Sequence, residues 1–380
     1  MSTHDCDKET TFYNKLRSCP ELDLRDKRGL LHDLAFNLCG LILGLLRNRD
    51  GNLSSIHRSM VNNHFKTCQA LNIEDQPIMS RPHLPFFLSK VNLVCFEELL
   101  FDQFGIKLSK TEKAWFAGDG KELRGSIAPG HKRGEALVQL VRHEDRAVLA
   151  QDSYNGTKQS EKPCLRRVIK QSGAANQKIT ADALHLNPAM TSPIEQAGGI
   201  YLIGLKGNQK ELLKDMIEHA DQFAACKTNE TTDKGHGRLE RRKYEQYKIE
   251  GDVFASRWKT SAFRSLFKVE RTRFCLRTKK QSHETAYYIS NSAVAKDDGC
   301  WQAIRKHWSV EVNNHARDVN LKEDGLRTKY STVTHAMASM RTLVLELFRK
   351  LKPASIAATM DLFQDDFDAM VKALKGIRFL

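Results

Sequence analysis

The run GIYLIGLKG at residues 199–207 is apolar at nearly every consecutive position. A short run of that kind, bounded by glycines, reads as a strand buried on both faces. Three further strand candidates precede it: AWFAGDG from residue 114, RAVLAQDS at residues 146–153, and QKITADALH around Asp182. Between them CLRRVIKQS and NPAMTSPIEQAG carry helical patterns. Strands alternating with helices imply an α/β chain, a mixed sheet with helices packed against it.

The flanks read differently. Over residues 24–105 Leu30, Leu31, Leu34, Leu38, Leu41 and Leu45 recur at helical spacing, Asp50-Gly51-Asn52 interrupts, and a helix resumes over residues 54–69. Ser80-Arg81-Pro82 then stands before HLPFFLSKVN and FEELLFDQFG, two short helices around Arg81, His83 and Lys90 that suit a helix-turn-helix or a plain bundle. Residues 208–298 open with a charged helix, pass through a polar stretch, and end in the strand-like SLFKVERTRFCLRT and TAYYISN. They read as a β-rich insertion laid across the path of the main sheet. Helix returns in CWQAIRKHWSVEVNNHARDV and STVTHAMASMRTLVLELFRKLKP. The expected units are therefore a helical domain (1–105), a core in two parts (106–207 and 299–350) split by the insertion (208–298), and a C-terminal helical tail (351–380).

Lys and Arg total 60 against 46 Asp and Glu, a formal charge of +14 over 380 residues. An excess of that size suits a polyanion, because neutralised phosphates release their counterions; a merely basic protein is the alternative. The nine cysteines include no CxxC pair and their number is odd, so neither a zinc knuckle nor a disulfide framework is expected, and a reducing compartment fits. The longest apolar stretch, residues 34–46, contains Asn37, Gly40 and Gly44 and falls short of the ~20 residues that span a bilayer. With the polar, acidic first residues, unlike a secretory leader, it points to a cytoplasmic protein without a membrane partner.

Carboxylates carry the candidate chemistry. Glu311 shares a helical face with Trp301, Ile304 and Trp308. A face of that kind packs inward, where a carboxylate needs a cation. Arg305 or Arg317 is one possible partner and a metal another. Asp119 and Asp182 each stand at or near the end of a strand-like run. Three convergent carboxylates suit hard cations, Mg²⁺ or Mn²⁺, and a pair of such ions serves phosphoryl transfer.

GDGKELRGS (118–126), ITADALH (179–185), YLIGLKGNQ (201–209), GHGRLERR (235–242), YYISN (287–291) and HWSVEVNNHARDVNLKED (307–324) occur in that order. Together they resemble the DDE insertion-sequence transposases, in the branch that includes the H-repeat-associated proteins. The resemblance covers roughly residues 25–350. It implies an RNase H-like core and a metal-binding catalytic triad of Asp119, Asp182 and Glu311 holding two Mg²⁺ ions. It also implies a β-rich insertion between Asp182 and Glu311, and double-stranded DNA as partner (terminal inverted repeats and target), engaged by a homodimer. Where members of that family carry Asn after the Glu and Trp after the nearby His, this chain has Val312 and Ala316.

Further candidates for DNA contact are Lys121 and Arg124 beside Asp119; Lys206, Asn208 and Gln209 after the buried run; the cationic His236, Arg238, Arg241 and Arg242; and Arg305, His307 and Arg317 around Glu311. For most of these a solvated surface is the competing role. Trp258 suits either stacking on a flipped base or a place in the core. A non-catalytic DNA-binding protein of the same fold, or a nuclease that does not join strands, would keep these features too.

Overall fold

The computed structural model describes residues 10–380 apart from 29, 110, 157, 236 and 251–255. Six helices come first: α1 (Phe12–Arg17), α2 (Leu34–Arg47), α3 (Leu53–Asn62), α4 (His64–Leu71), α5 (Leu84–Leu88) and α6 (Leu93–Phe104). The next stretch holds β1 (Trp115–Glu122), β2 (Glu135–Arg142), β3 (Val148–Asn155), α7 (Lys158–Gln171), β4 (Lys178–Ala181), α8 (Pro188–Gln196) and β5 (Ile200–Leu205). Then come α9 (Lys210–Gln222), β6 (Lys227–Gly235), β7 (Arg238–Lys248), β8 (Ser265–Cys275) and β9 (Gln281–Ser290). The chain closes with α10 (Cys300–Lys306), α11 (Ser309–Val319), α12 (Ser331–Leu351), α13 (Ile356–Asp365) and α14 (Phe367–Gly376).

The strands form one nine-stranded mixed sheet in the order β3-β2-β1-β4-β5-β9-β8-β7-β6. Only β1–β4 and β4–β5 pair in parallel. The fold is α/β, as expected. One face is covered by α7, α8 and α9, whose Leu165, Ile194 and Met216 join a core with Phe116, Ile179 and Tyr201. The other carries α10 over Leu202 and Phe267, α11 with Val310 on Ala117 and Val141, and α12 with Ala338 on Leu123 and Leu137.

Three expectations change. The strand EALVQLVR, now β2, lay unrecognised between two better-marked runs, yet it is central and buried. The insertion is not laid across the sheet: β9 pairs antiparallel with β5 and the hairpins extend the same sheet. The C-terminal helices are no tail, because Met360, Phe363, Phe367, Met370 and Leu374 share one core with α1, α2, α6 and α12. Residues 10–105 are thus half of a helical unit completed by the other end of the chain.

In α2 every residue is buried, so its apolar character on all sides matches a central helix rather than a surface one. Its Asn37 is satisfied there, donating to Asp33 O and Pro77 O and accepting from Met79 N. Among the described residues no helix is long and apolar enough to cross a membrane.

Candidate active site

The sequence GDG on β1 does two jobs on two faces. Side chains alternate along a strand, so Gly118 and Gly120 face α7 while Asp119 faces α11. A Cβ on Gly118 would stand 2.7 Å from Leu165 Cδ1, and one on Gly120 2.7 Å from Glu161 Cδ. Without side chains at these positions α7 packs tightly on β1. Asp119 lies within β1 rather than at its end, since the strand runs on to Glu122. The parallel pairing with β4, however, stops at Gly118 and Ala181. Asp182 is the next residue, in extended conformation, capping the short helical turn that follows by accepting from Leu184 N at 2.9 Å. The two aspartates therefore stand side by side where β4 ends.

Two anchors tie the segment that carries Glu311 to the strands of the aspartates. Below it, His307 Nδ1 lies 3.0 Å from Thr180 Oγ1, two residues before Asp182. Glu311 follows four residues later, in the first turn of α11. Above it, Lys121 Nζ meets Asp318 Oδ1 at 2.7 Å, two residues beyond Asp119 on β1. The chain bends between α10 and α11, however, so the helical spacing does not carry through. Trp308 is 58% exposed rather than inward, and Glu311 itself is exposed.

Charge is poorly compensated here. Burial, then the charges of Glu161 and Asp182, push the Asp119 carboxyl up to about 7. Burial also raises the Glu311 carboxyl. Neither forms an ion pair with a described residue, and His185 Nε2 lies 3.9 Å from Asp182 Oδ1. Burial holds His307 down to about 4, opposed by Asp182 and reinforced by His185 and Lys206, so it stands neutral beside the aspartates. The three carboxylates carry the donor type that hard divalent ions take. They do not close on one point: among the described residues, the group of three His, Cys, Asp or Glu donors within 4.8 Å of one another is His64, Cys68 and Asp75, in the helical unit.

The remaining candidates divide. Arg124 is exposed, with its backbone N–H held by Asp324 at 3.2 Å, and Lys206 is exposed after β5. Asn208 and Gln209 brace the Asp182 loop instead, donating to Ala183 O at 2.7 Å and Leu186 O at 2.9 Å. The Lys121 ammonium is buried between Asp318 and Asp324 and is not free for a phosphate. Arg238, Arg241 and Arg242 of β7 and Arg305 of α10 gather beside the inserted hairpins, where they pair with Glu240, Glu230 and Asp233. All but Arg241 line a groove of about 260 Å³. His236 lies outside the described residues.

Two further assignments to DNA contact are corrected. Arg317 is fully buried and binds Glu323, Thr342 and Ala338 O. Trp258 is buried in the core against Phe263 and is not open to a base. Sequence reasoning also missed Glu161, His185 and Tyr154 behind the aspartates; His185 stands three residues after Asp182, and that closeness was the available signal.

No family model matches the chain. It is 25% identical over 276 residues to "Putative transposase YncI" of Escherichia coli O157:H7, covering 70% of this chain and 69% of that protein. Over 256 residues it is 25% identical to "H repeat-associated putative transposase YhhI" of Escherichia coli K12, covering 63% of this chain and 65% of the relative. "Putative protein YbfL" of the same strain matches with the same identity and coverage. By sequence the chain is similar to these putative transposases of Escherichia coli.

Proposed function

We propose that the chain is a DDE-type transposase with an RNase H-like core, whose catalytic residues are Asp119, Asp182 and Glu311. One observation carries this reading. Asp119, within β1, and Asp182, just past the end of the adjacent parallel β4, stand side by side beneath the segment that carries Glu311, which His307 and Asp318 tie to the same strands. The names of the relatives and the charge of +14 support it.

Two Mg²⁺ ions, or Mn²⁺ in their place, suit these donors and when bound supply an activated water or 3′-hydroxyl and stabilisation of the departing oxygen in an in-line displacement. The chain's own residues do the rest. Asp119, Asp182 and Glu311 hold the charge. His307, kept neutral and tied to Thr180, adds no competing cation. Lys206 and Arg124 offer charge at the rim for backbone phosphates, and the arginines of the inserted hairpins exchange carboxylate partners for phosphates. The substrates are double-stranded DNA, the element's terminal inverted repeats first and target DNA second, held by a homodimer because two ends must meet.

Cleavage of a linear duplex carrying the element's own ends, in Mg²⁺, tests this directly. Asp119→Asn and Glu311→Gln are expected to abolish strand cleavage while DNA affinity stays within about twofold, as ligand loss leaves phosphate contacts intact. Cleavage at the wild-type rate by either variant refutes the triad.

A further inference from the structure

The loop that carries Asp182 is held from behind by residues to which none of the above gives a role. His185 is fully buried, and its Nε2 lies 3.1 Å from Glu161 Oε1 and 3.9 Å from Asp182 Oδ1. Glu161 comes from α7, across the sheet from Asp119, and fills the space left by Gly120. Its second oxygen accepts from the Tyr154 hydroxyl of β3 at 3.1 Å. A chain of contacts thus runs from β3 through α7 to the loop after β4: Tyr154, Glu161, His185, Asp182. Asn208 and Gln209 grip the same loop from the β5 side through the backbone carbonyls of Ala183 and Leu186.

β4 is only four residues long and ends immediately before Asp182, so strand pairing does not fix that side chain. Its Oδ1 accepts from Leu184 N, and the groups packed behind the loop complete its setting. His185 turns the same Nε2 toward both carboxylates, within hydrogen-bond reach of Glu161 and in packing contact at 3.9 Å with Asp182, so Glu161 sets where the imidazole stands behind the ion-side carboxylate, as outer groups do at ion sites. We infer that Glu161 and His185, steadied by Tyr154, are positioning residues that set the carboxylate of Asp182 for divalent-ion binding. This rests on the reading of Asp119, Asp182 and Glu311 as ion ligands. Neither residue touches substrate or ion; both act through Asp182.

Mn²⁺ binding to the full-length protein without DNA, followed by the electron paramagnetic resonance signal of free Mn²⁺, tests this with a readout independent of cleavage. Glu161→Ala and His185→Ala are expected to weaken Mn²⁺ binding by about tenfold or more. Tyr154→Phe, which removes one hydroxyl and leaves no large cavity, is expected to weaken it by about threefold. Glu161→Gln keeps an oxygen that accepts from His185 and is expected to restore binding to near wild type, a rescue that loss of packing would not explain. If both alanine variants and Tyr154→Phe bind Mn²⁺ like wild type while Asp119→Asn does not, the positioning role is refuted and the carboxylate site stands. Should Asp119→Asn also bind like wild type, the ion site itself is refuted and this role with it.

Discussion

Asp119 is set apart by what surrounds it. Burial and two neighbouring carboxylates, Glu161 and Asp182, push its carboxyl from 3.8 up to about 7. A carboxyl raised in the folded state favours folding only while it keeps its proton, so that contribution is present at low pH and is lost as pH rises through about 7. In the metal-free protein Asp119 is therefore a growing liability between about pH 4 and pH 7, and asparagine at this position carries none of it. Thermal melts in chelator are expected to place Asp119→Asn higher relative to wild type at pH 8 than at pH 5. A difference between the two proteins that does not change with pH contradicts the raised carboxyl. The sequence announced this residue through GDG, but the reason for the flanking glycines, close approach of α7, is visible only once that helix is in place.

At the level of elements, Arg317 shows what spacing does not reveal. On a helix rich in polar residues it was indistinguishable from a DNA-contacting arginine. In the fold it points from α11 into the interior, doubly bonded to Glu323 with its remaining donors on Thr342 and Ala338 O, and so locks α11 to α12. The buried Arg317 guanidinium holds the Glu323 carboxyl below its usual range, against the effect of burial. Removing one partner of such a pair strands the other charge. Arg317→Ala is expected to cost about 3–5 kcal/mol in denaturant unfolding, and wild-type stability with weakened DNA binding would return this arginine to the DNA surface. The hairpin of β6 and β7 escaped sequence reading for a related reason. β6 and the first half of β7 are largely polar on both faces, and cross-strand ion pairs such as Arg241 with Glu230 and Arg242 with Asp233 join them. Alternation of apolar and polar residues, the usual mark of a strand, is absent there.

For the whole molecule, the order of units along the chain was legible and their assembly was not. Apolar runs announced β1, β3, β4 and β5, and the polar break after β5 announced the insertion. Nothing local indicated that the insertion would continue the same sheet through β9, or that α13 and α14 would complete the core begun by α1 and α2. Those outcomes depend on edges and faces left open elsewhere. The candidate site is likewise a property of the whole: Asp119, Asp182 and Glu311 come from a strand, the loop after another strand and a helix beyond the insertion. Their convergence on common ions is the central claim. It can be measured by loading the protein with Fe²⁺ in place of Mg²⁺, adding ascorbate and peroxide, and mapping backbone cuts by mass spectrometry. Cuts are expected around residues 119, 182 and 311 together, all lost in Asp119→Asn; cuts near only one of the three, or centred instead on His64, Cys68 and Asp75, would contradict it.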